Sequence, residues 1–201
     1  MKKIKVGITG GIGTGKTTAA NLFKEKGYQV FSADDIAKEI MVSDESVIEK
    51  IKTEFGEESF QDGELNKKYL AENVFSDEAK ILLINSIVHP PTLEKIETGM
   101  NEALMKEDIV FAESALIFEA EFETMFDYII LVTSTDENKI ERVMKSRKIS
   151  REEVIKRINN QMPDDEKRKG SDFVIENNST LEDLKSKAEF ILSLIENMVG
   201  V

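Results

Sequence analysis

Hydrophobic residues in this chain form short β-branched runs that alternate with longer stretches of helical periodicity. A run of about four to eight such residues between polar or glycine-rich segments is typical of a buried strand. Strands that alternate with helices indicate a parallel sheet covered by helices on both faces. The sequence therefore predicts a three-layer α/β/α fold with strands at Ile4–Thr9, Gln29–Ser32, Ile109–Ala112, Tyr128–Thr133 and Phe173–Glu176.

The stretch 44–107 contains helical patterns and no run that predicts a strand. We therefore expect a helical insertion there, a second insertion at 142–169, and a core built from 1–43, 108–141 and 170–201. A proline pair commonly ends a helix. The helices expected in the first insertion are accordingly Val47–Phe55, Lys67–Val74, Glu78–Ile87 and a longer one after Pro91.

Two patterns mark the starts of later helices. Ser150-x-x-Glu153 and Ser179-x-x-Glu182 both match the capping box, in which the two side chains satisfy backbone N–H groups at a helix start. The last helix is predicted to pack on the core through one apolar stripe, formed by Leu181, Leu184, Ala188, Ile191, Ile195 and Met198.

The segment Gly10 to Thr17 has the sequence Gly-Gly-Ile-Gly-Thr-Gly-Lys-Thr and matches the P-loop pattern G-x-x-x-x-G-K-[ST]. Its glycines allow φ > 0 and turn N–H groups toward phosphate oxygens, while Lys16 supplies a cation and the Thr17 hydroxyl a ligand for Mg²⁺. The alternative is a glycine-rich turn with a chance lysine. We expect the nucleotide to contact Gly11, Gly13, Thr14, Gly15, Lys16, Thr17 and Thr18.

Composition narrows the class of protein further. The 201 residues suffice for one sizeable core with insertions, and the absence of cysteine excludes disulfides and thiol catalysis. A net charge of −12 argues against broad binding to nucleic acid, and no apolar run is long enough to span a membrane. We therefore expect a cytoplasmic protein with small-molecule partners, either a monomer or a small homo-oligomer.

Basic residues concentrate in one part of this acidic chain. All five arginines lie between 142 and 168, and the segment 142–170 holds ten lysines and arginines against five acidic residues. One interpretation is a solvated helical face. The other is a clamp for phosphate, because arginine offers planar, bidentate donors. Arg157 and Gln161 are predicted one turn apart on one helix face, with Arg142 on the preceding helix, so that they could converge on an anion.

Carboxylates follow two of the predicted strands, at the sheet edge where active sites form. Asp34 could accept the proton of an attacking hydroxyl, or it could cap the next helix, for which Asp35 is the better candidate. Glu113 could assist Mg²⁺ binding through water, or it could equally lie in a solvated turn. Glu119 has the same two interpretations, of which a role in Mg²⁺ binding is the less expected.

Two further polar residues have open interpretations. His89, the only histidine, precedes Pro90 and is more often a structural group than a catalyst in such a position. Asn177 follows the last strand, where it could meet a nucleobase or form a turn before the final helix.

Stretches more specific than the P-loop lie along nearly the whole chain. They are Ser-Ala-Asp-Asp-Ile-Ala-Lys (32–38), Phe-Gly (55–56) followed by Asp-Gly-Glu-Leu-Asn-Lys (62–67), Ile-Asn-Ser-Ile-Val-His-Pro (84–90), Leu-Ile-Phe-Glu (116–119), Arg157-Ile158 with Gln161, and Ser-Asp-Phe-Val-Ile-Glu-Asn (171–177). Together with Gly-Ile-Thr-Gly-Gly-Ile-Gly-Thr-Gly-Lys-Thr-Thr (7–18), they resemble the dephospho-CoA kinase family.

This resemblance implies transfer of the γ-phosphate of ATP to the ribose 3′-hydroxyl of dephospho-CoA, giving coenzyme A and ADP, with ATP as co-substrate and Mg²⁺. It implies that 44–107 binds dephospho-CoA and that 142–169 is a mobile lid. Asp34 resembles the family's proposed base, and Arg142 and Arg157 resemble its lid arginines.

The resemblance also implies that Lys67, His89 and Gln161 contribute to substrate binding. The chain departs from the family pattern at four places: Ser32 stands where Asp is usual, Lys67 where Arg is usual, Ala115 where Pro is usual, and Ser146-Arg147 where an Arg-Asp pair is expected.

Two other functions are compatible with a P-loop. One is a kinase of another small hydroxyl or nucleotide acceptor, for which the insertion at 44–107 is the discriminating region. The other is a nucleotide switch, because Asn138-Lys139-Ile140-Glu141 nearly matches the guanine-binding N-K-x-D. The switch motif D-x-x-G is absent from the sequence, which disfavours the second.

Overall fold

Five parallel strands form the central sheet of the structure, a computed structural model that describes residues 2–74 and 77–200. The predicted α/β fold is confirmed, and the five predicted strands are present with ends that differ by at most one residue. They are β1 (Ile4–Thr9), β2 (Val30–Ser32), β5 (Ile109–Glu113), β6 (Tyr128–Thr133) and β7 (Phe173–Glu176), and a separate hairpin contains β3 (Phe60–Gln61) and β4 (Glu64–Leu65).

Strand β1 lies in the middle of the sheet, whose order is β2-β5-β1-β6-β7. Its residue Ile4 pairs with Ile109 on one side, and Val6 pairs with Tyr128 on the other. The chain therefore forms β2 and β5 on one side of β1 and then crosses β1 to form β6 and β7 on the other. A crevice forms at such a switch point, beyond the carboxyl ends of the strands, and this is where the P-loop follows β1.

Helices pack on this sheet through a continuous apolar core. Phe23 stacks on Phe111 with ring centroids 4.7 Å apart, which joins the first helix to the sheet. In the last helix the predicted stripe is buried in its middle, whereas Leu181 and Met198 are 58% and 50% exposed, so the prediction was wrong at both ends. The helices of this core are α1 (Lys16–Glu25) and α9 (Leu181–Val199). The other helices that follow β6 are α6 (Asp136–Arg147), α7 (Arg151–Asn159) and α8 (Asp164–Lys169).

The chain divides into two compact units, one of 1–31 and 99–201 and the other of 32–98. The second unit has a hydrophobic core of its own, to which Ile40, Val47 and Leu70 contribute fully buried side chains. Its helical elements are α2 (Ala33–Ser43), α3 (Glu45–Phe55), α4 (Lys67–Asn73) and most of α5 (Glu78–Ala103), whose residues from Gly99 onward belong to the first unit.

Two features of the second unit differ from the predictions. The β3–β4 hairpin was not predicted, and its turn places Asp62 and Gly63 at φ 52° and 81°. Helix α5 continues through Pro90 and Pro91, so the predicted end before this pair was wrong. Proline removes an N–H donor without excluding a helical φ. In the turn that follows, the Thr92 hydroxyl donates to the Val88 carbonyl at 2.7 Å.

Helix starts agree with the predictions in one case of three. Ser150 forms the predicted capping box with Glu153. The last helix is capped by Thr180 rather than Ser179. Helix α2 is capped by Ser32, whose hydroxyl accepts the N–H of Asp35, so the prediction that Asp35 is the cap was wrong.

Across the described helices, none combines the length and the apolar content that crossing a bilayer requires.

A buried ion pair attaches α8 to the loop after β5. Lys167 is fully buried, and its Nζ lies 2.7 Å from Glu119 Oε1 and 2.8 Å from the Ala115 carbonyl oxygen. Glu119 Oε1 also accepts the N–H of Met162 at 3.1 Å. Glu119 is therefore paired with a lysine here, which gives this residue a structural role in the fold.

We expect Lys167→Ala to lower the free energy of unfolding by about 3 kcal/mol, because it leaves the Glu119 carboxylate largely buried without its cation. Arg168 is the matched control, since it is the next residue of α8 and forms an exposed ion pair with Glu176. Arg168→Ala should cost less than about 1 kcal/mol. Urea denaturation measures both; equal losses would contradict the role given to the buried pair.

Candidate active site

The P-loop connects β1 to α1 and has the backbone geometry that a phosphate-binding loop requires. Gly13 and Gly15 have φ of 77° and 94°, in the left-handed region that other residues rarely adopt. A side chain would also clash at both positions. A Cβ on Gly13 would lie 2.6 Å from the Lys139 carbonyl oxygen, and one on Gly15 would lie 2.3 Å from Asn177 Nδ2. These two positions therefore need glycine for conformation and for packing.

Side chains from distant parts of the chain bind the outer face of this loop. Gln161 Oε1 accepts the N–H of Ile12 at 2.8 Å, and Asn177 Nδ2 donates to the Thr14 carbonyl at 2.9 Å. Within the loop, the Thr14 hydroxyl donates to the Gly11 carbonyl at 2.9 Å. Gln161 and Asn177, both predicted site residues, are thus brought to the P-loop.

Lys16 and Thr17 meet at one carboxylate oxygen. Lys16 Nζ lies 2.7 Å from Glu113 Oε1, and the Thr17 hydroxyl donates to the same oxygen at 2.8 Å. The side chains of Lys16 and Glu113 are only 11% and 8% exposed, so the pair is shielded from water. Thr18, the third residue of α1, is exposed.

A hydroxyl and a carboxylate oxygen this close together fit the ligand chemistry of Mg²⁺, which binds through one or two protein oxygens and the phosphates of its substrate. Groups of three or more metal-binding side chains are absent from the described residues. Thr17 and Glu113 are therefore suited to a magnesium ion that a nucleotide shares, and not to an ion held by protein alone.

Arg142 points at the P-loop from α6. Its Nη2 donates to the Asn177 carbonyl at 2.9 Å, and its Nη1 donates to Ser134 Oγ at 3.2 Å and to the Gly13 carbonyl at 3.4 Å. Arg157 is exposed on α7. Because α7 ends at Asn159, the prediction that Arg157 and Gln161 share a helix face was wrong.

A polar cleft of about 630 Å³ lies beside the P-loop residues Gly11 and Ile12. In its wall, Asp164 Oδ2 accepts bonds from Lys139 Nζ at 2.6 Å and from the Thr133 hydroxyl at 2.5 Å. Sequence analysis missed these three residues. Lys139 was considered only as part of a guanine motif, and the position of Asp164 after Pro163 indicates a helix start rather than a site.

Two other arginines of the basic segment form surface ion pairs. Arg151 binds Glu137 through two hydrogen bonds of 2.9 and 2.8 Å, which lowers the pKa of the Glu137 carboxyl. Arg168 pairs with Glu176 at 2.9 Å. These contacts are typical of solvated helix faces, so for Arg151 and Arg168 the structure agrees with the first interpretation of the basic segment.

The remaining predicted residues belong to the second unit. Asp34 is exposed in the first turn of α2, and Lys67 is exposed as the first residue of α4. His89 is half-buried in α5, and this burial lowers the pKa of its imidazole below the ordinary 6.5. His89 is therefore neutral near pH 7.

A P-loop at the switch point of a parallel sheet, with Lys16 and Thr17 on one carboxylate and an arginine from a basic segment, defines a P-loop kinase. The sequence profile of the dephospho-CoA kinase family matches residues 4–183. The chain belongs to this family.

Individual proteins show the same relationship. A dephospho-CoA kinase of Latilactobacillus sakei is 34% identical over 197 residues, with 98% of each chain covered. A crystal structure from Thermus thermophilus superposes with a TM-score of 0.79 at 33% identity, covering 96% of this chain and 98% of the other. The dephospho-CoA kinase of Campylobacter jejuni gives 0.67 at 25% identity, covering 96% and 97%.

We expect His89 to make stability depend on pH. Because burial lowers its pKa in the folded state, the unfolded chain binds the proton more readily, and stability present above the ordinary pKa is lost as the pH falls below it. The loss is about 1.4 kcal/mol for each unit of the pKa difference. His89→Asn, which cannot titrate, should therefore show a smaller decrease between about pH 7.5 and 5.5.

Urea denaturation at a series of pH values measures this difference. Since the chain has no other histidine, the wild type and the variant should behave in parallel above about pH 7.5. Curves that stay parallel down to about pH 5.5 would contradict the effect of burial on His89.

Proposed function

We propose that this chain transfers the γ-phosphate of ATP to the ribose 3′-hydroxyl of dephospho-CoA, giving coenzyme A and ADP as the final step of coenzyme A synthesis. The observation that supports it most strongly is the meeting of Lys16, Thr17 and Glu113 at the P-loop of a chain of this family. A cytoplasmic location, and a monomer or small homo-oligomer, complete the proposal.

The nucleotide binds through the P-loop and the start of α1. Lys16 reaches the β- and γ-phosphates, where its charge offsets the charge that develops on the leaving ADP. Asn177 supports the nucleotide site from the end of β7. The backbone and hydroxyl groups that face the phosphates come from Gly11, Gly13, Thr14, Gly15, Thr17 and Thr18.

Thr17 and Glu113 would hold Mg²⁺, Thr17 directly and Glu113 through water. When bound, the ion neutralises negative charge on the β- and γ-phosphate oxygens. The residues of the chain bind the two substrates, orient them and exclude water from the site.

Asp34 accepts the proton of the 3′-hydroxyl, as an exposed carboxylate at the start of α2 is able to do. Lys67 and His89 contribute to the binding of dephospho-CoA, within a helical acceptor domain at 44–107. Gln161 contributes to substrate binding through its bond to the P-loop.

The basic segment 142–169 acts as a lid whose arginines, Arg142 and Arg157, stabilise the transferring phosphoryl group. Water competes with the 3′-hydroxyl as the acceptor. A lid that closes when both substrates are present suppresses hydrolysis of ATP, which accounts for the concentration of arginine in one segment.

Acceptor selectivity tests the proposal. Turnover should be compared for dephospho-CoA, adenosine, nucleoside monophosphates and shikimate at equal concentration with ATP. We expect kcat/KM for dephospho-CoA to exceed the others by at least about a hundredfold. A preference for another acceptor would support a P-loop kinase of a different small hydroxyl compound. Equal binding of ATP and GTP without acceptor-dependent turnover would instead support a nucleotide switch.

We expect Lys16→Ala to lower kcat/KM by about a hundredfold or more, because the residue provides a cation in the transition state. Because the change also removes the shielded ion pair with Glu113, circular dichroism should first show that the variant is folded at the assay temperature. Lys24→Ala, at an exposed position of the same helix, is the control and should keep nearly full activity. Lys16→Ala activity within about tenfold of wild type would contradict the P-loop assignment.

We expect Asp34→Asn to lower kcat by about a hundredfold while the affinity for ATP stays within about twofold, because the amide is nearly isosteric but cannot accept a proton. Asp35→Asn is a matched control: it removes the same charge from the same first turn, where Asp35 pairs with Lys38 at 2.9 Å. Single-turnover kinetics distinguish the two. A larger loss for Asp35→Asn would show that the wrong carboxylate was chosen.

A further inference from the structure

Asn177 has an unusual environment for the first residue after an edge strand. Its side chain is buried, with only 6% of the residue exposed, and its Nδ2 donates to the Thr14 carbonyl at 2.9 Å. The amide orientation is fixed by its neighbours, because Arg142 Nη2 lies 3.5 Å from Asn177 Oδ1 and needs an acceptor there. The nitrogen of the carboxamide therefore faces the P-loop.

The backbone of Asn177 is held as firmly as its side chain. Its N–H donates to the Thr133 carbonyl at 2.8 Å, and its carbonyl accepts the Ser134 hydroxyl at 2.7 Å and Arg142 Nη2 at 2.9 Å. Three backbone bonds and burial leave the carboxamide little freedom. It therefore presents a fixed donor to the loop.

The contact with the Thr14 carbonyl also fixes the direction of the Gly15 N–H, because both groups belong to the same peptide. In a planar trans peptide the C=O of one residue and the N–H of the next point to opposite sides. A donor that holds the Thr14 carbonyl on the outer side of the loop consequently turns the Gly15 N–H to the inner side, where a phosphate oxygen binds.

We propose that Asn177 is a positioning residue that aims the Gly15 N–H at the phosphates by holding the Thr14 carbonyl. This inference rests on the proposed binding of ATP phosphates in the P-loop, and it specifies how Asn177 acts there. The residue acts on the polyphosphate through the loop and not on the nucleobase.

The fit between Asn177 and Gly15 supports this assignment. A Cβ on Gly15 would lie 2.3 Å from Asn177 Nδ2, and the φ of 94° at Gly15 is itself rare for other residues. The carboxamide therefore lies directly against the peptide it orients. Arg142, which is hydrogen-bonded to Asn177, also contacts the loop through the Gly13 carbonyl, at 3.4 Å.

Binding of inorganic tripolyphosphate, which has no base, tests the proposal together with binding of ATP. In Asn177→Ala and Asn177→Asp, we expect the Kd for both ligands to rise by the same factor, about five- to tenfold for one lost hydrogen bond. Isothermal titration calorimetry of the wild type and the two variants with each ligand measures the six constants. Wild-type protein that binds neither ligand would overturn the proposed function itself, which distinguishes that failure from failure of the inference.

Asn178→Asp is the matched control for the added charge. Asn178 Oδ1 accepts the N–H of Thr135 at 2.9 Å and lies 3.1 Å from the Ser134 hydroxyl oxygen, and a carboxylate keeps the bond to Thr135. This variant should stay within about twofold of wild type. If Asn178→Asp loses as much affinity as Asn177→Asp, the effect is due to the added charge. If the Kd for tripolyphosphate is unchanged in the Asn177 variants, Asn177 contacts the base instead. Either result overturns the proposal.

The NMR signal of the Gly15 amide tests the proposal directly, and it does so even for a variant that has lost stability. With glycine labelled by ¹⁵N, the chain gives at most eleven glycine amide signals, so that the Gly15 signal can be assigned by substitution. Tripolyphosphate at saturating concentration should shift this signal strongly downfield in the wild type and much less in either Asn177 variant. The same downfield shift in wild type and variants would contradict the positioning role.

Discussion

The direction of a few peptide groups in the P-loop is the constraint on which the rest of the structure depends. A loop that turns N–H groups inward must turn carbonyls outward, and each outward group needs a partner. Here Asn177 is the partner of the Thr14 carbonyl, and Gln161 binds the Ile12 N–H, a donor that is already satisfied within the protein. The central position of β1 brings these distant segments to the loop, so the sheet order is part of the phosphate site.

The basic segment combines a fixed part with an exposed part. Residues 161–167 are attached to the rest of their unit by Gln161 at the P-loop, by Asp164 on Lys139 and by the buried pair of Lys167 and Glu119. By contrast, α7 presents Arg157 to solvent and packs on α6 through a small apolar cluster around Val154. We expect the proposed lid to move most easily at α7, with the segment after it as the fixed end.

Features set by local chemistry were predicted from the sequence, and those set by distant contacts were not. The P-loop and the Ser150 capping box depend on neighbouring residues and were found. The roles of Gln161 and Asn177 depend on backbone atoms far away in sequence, so only their residue types and places could be noted. The hairpin at Asp62-Gly63 was missed despite a favourable turn pair, because strands of two residues show no periodicity.

The central claim is that phosphoryl transfer depends on the acceptor, because the site closes and excludes water only when both substrates are bound. The most direct measurement is the rate of ADP formation from ATP with and without dephospho-CoA, with coenzyme A quantified in the same samples. The account predicts one coenzyme A for each ADP and a rate with ATP alone at least about a hundredfold lower. Equal ADP formation in the absence of dephospho-CoA would contradict it.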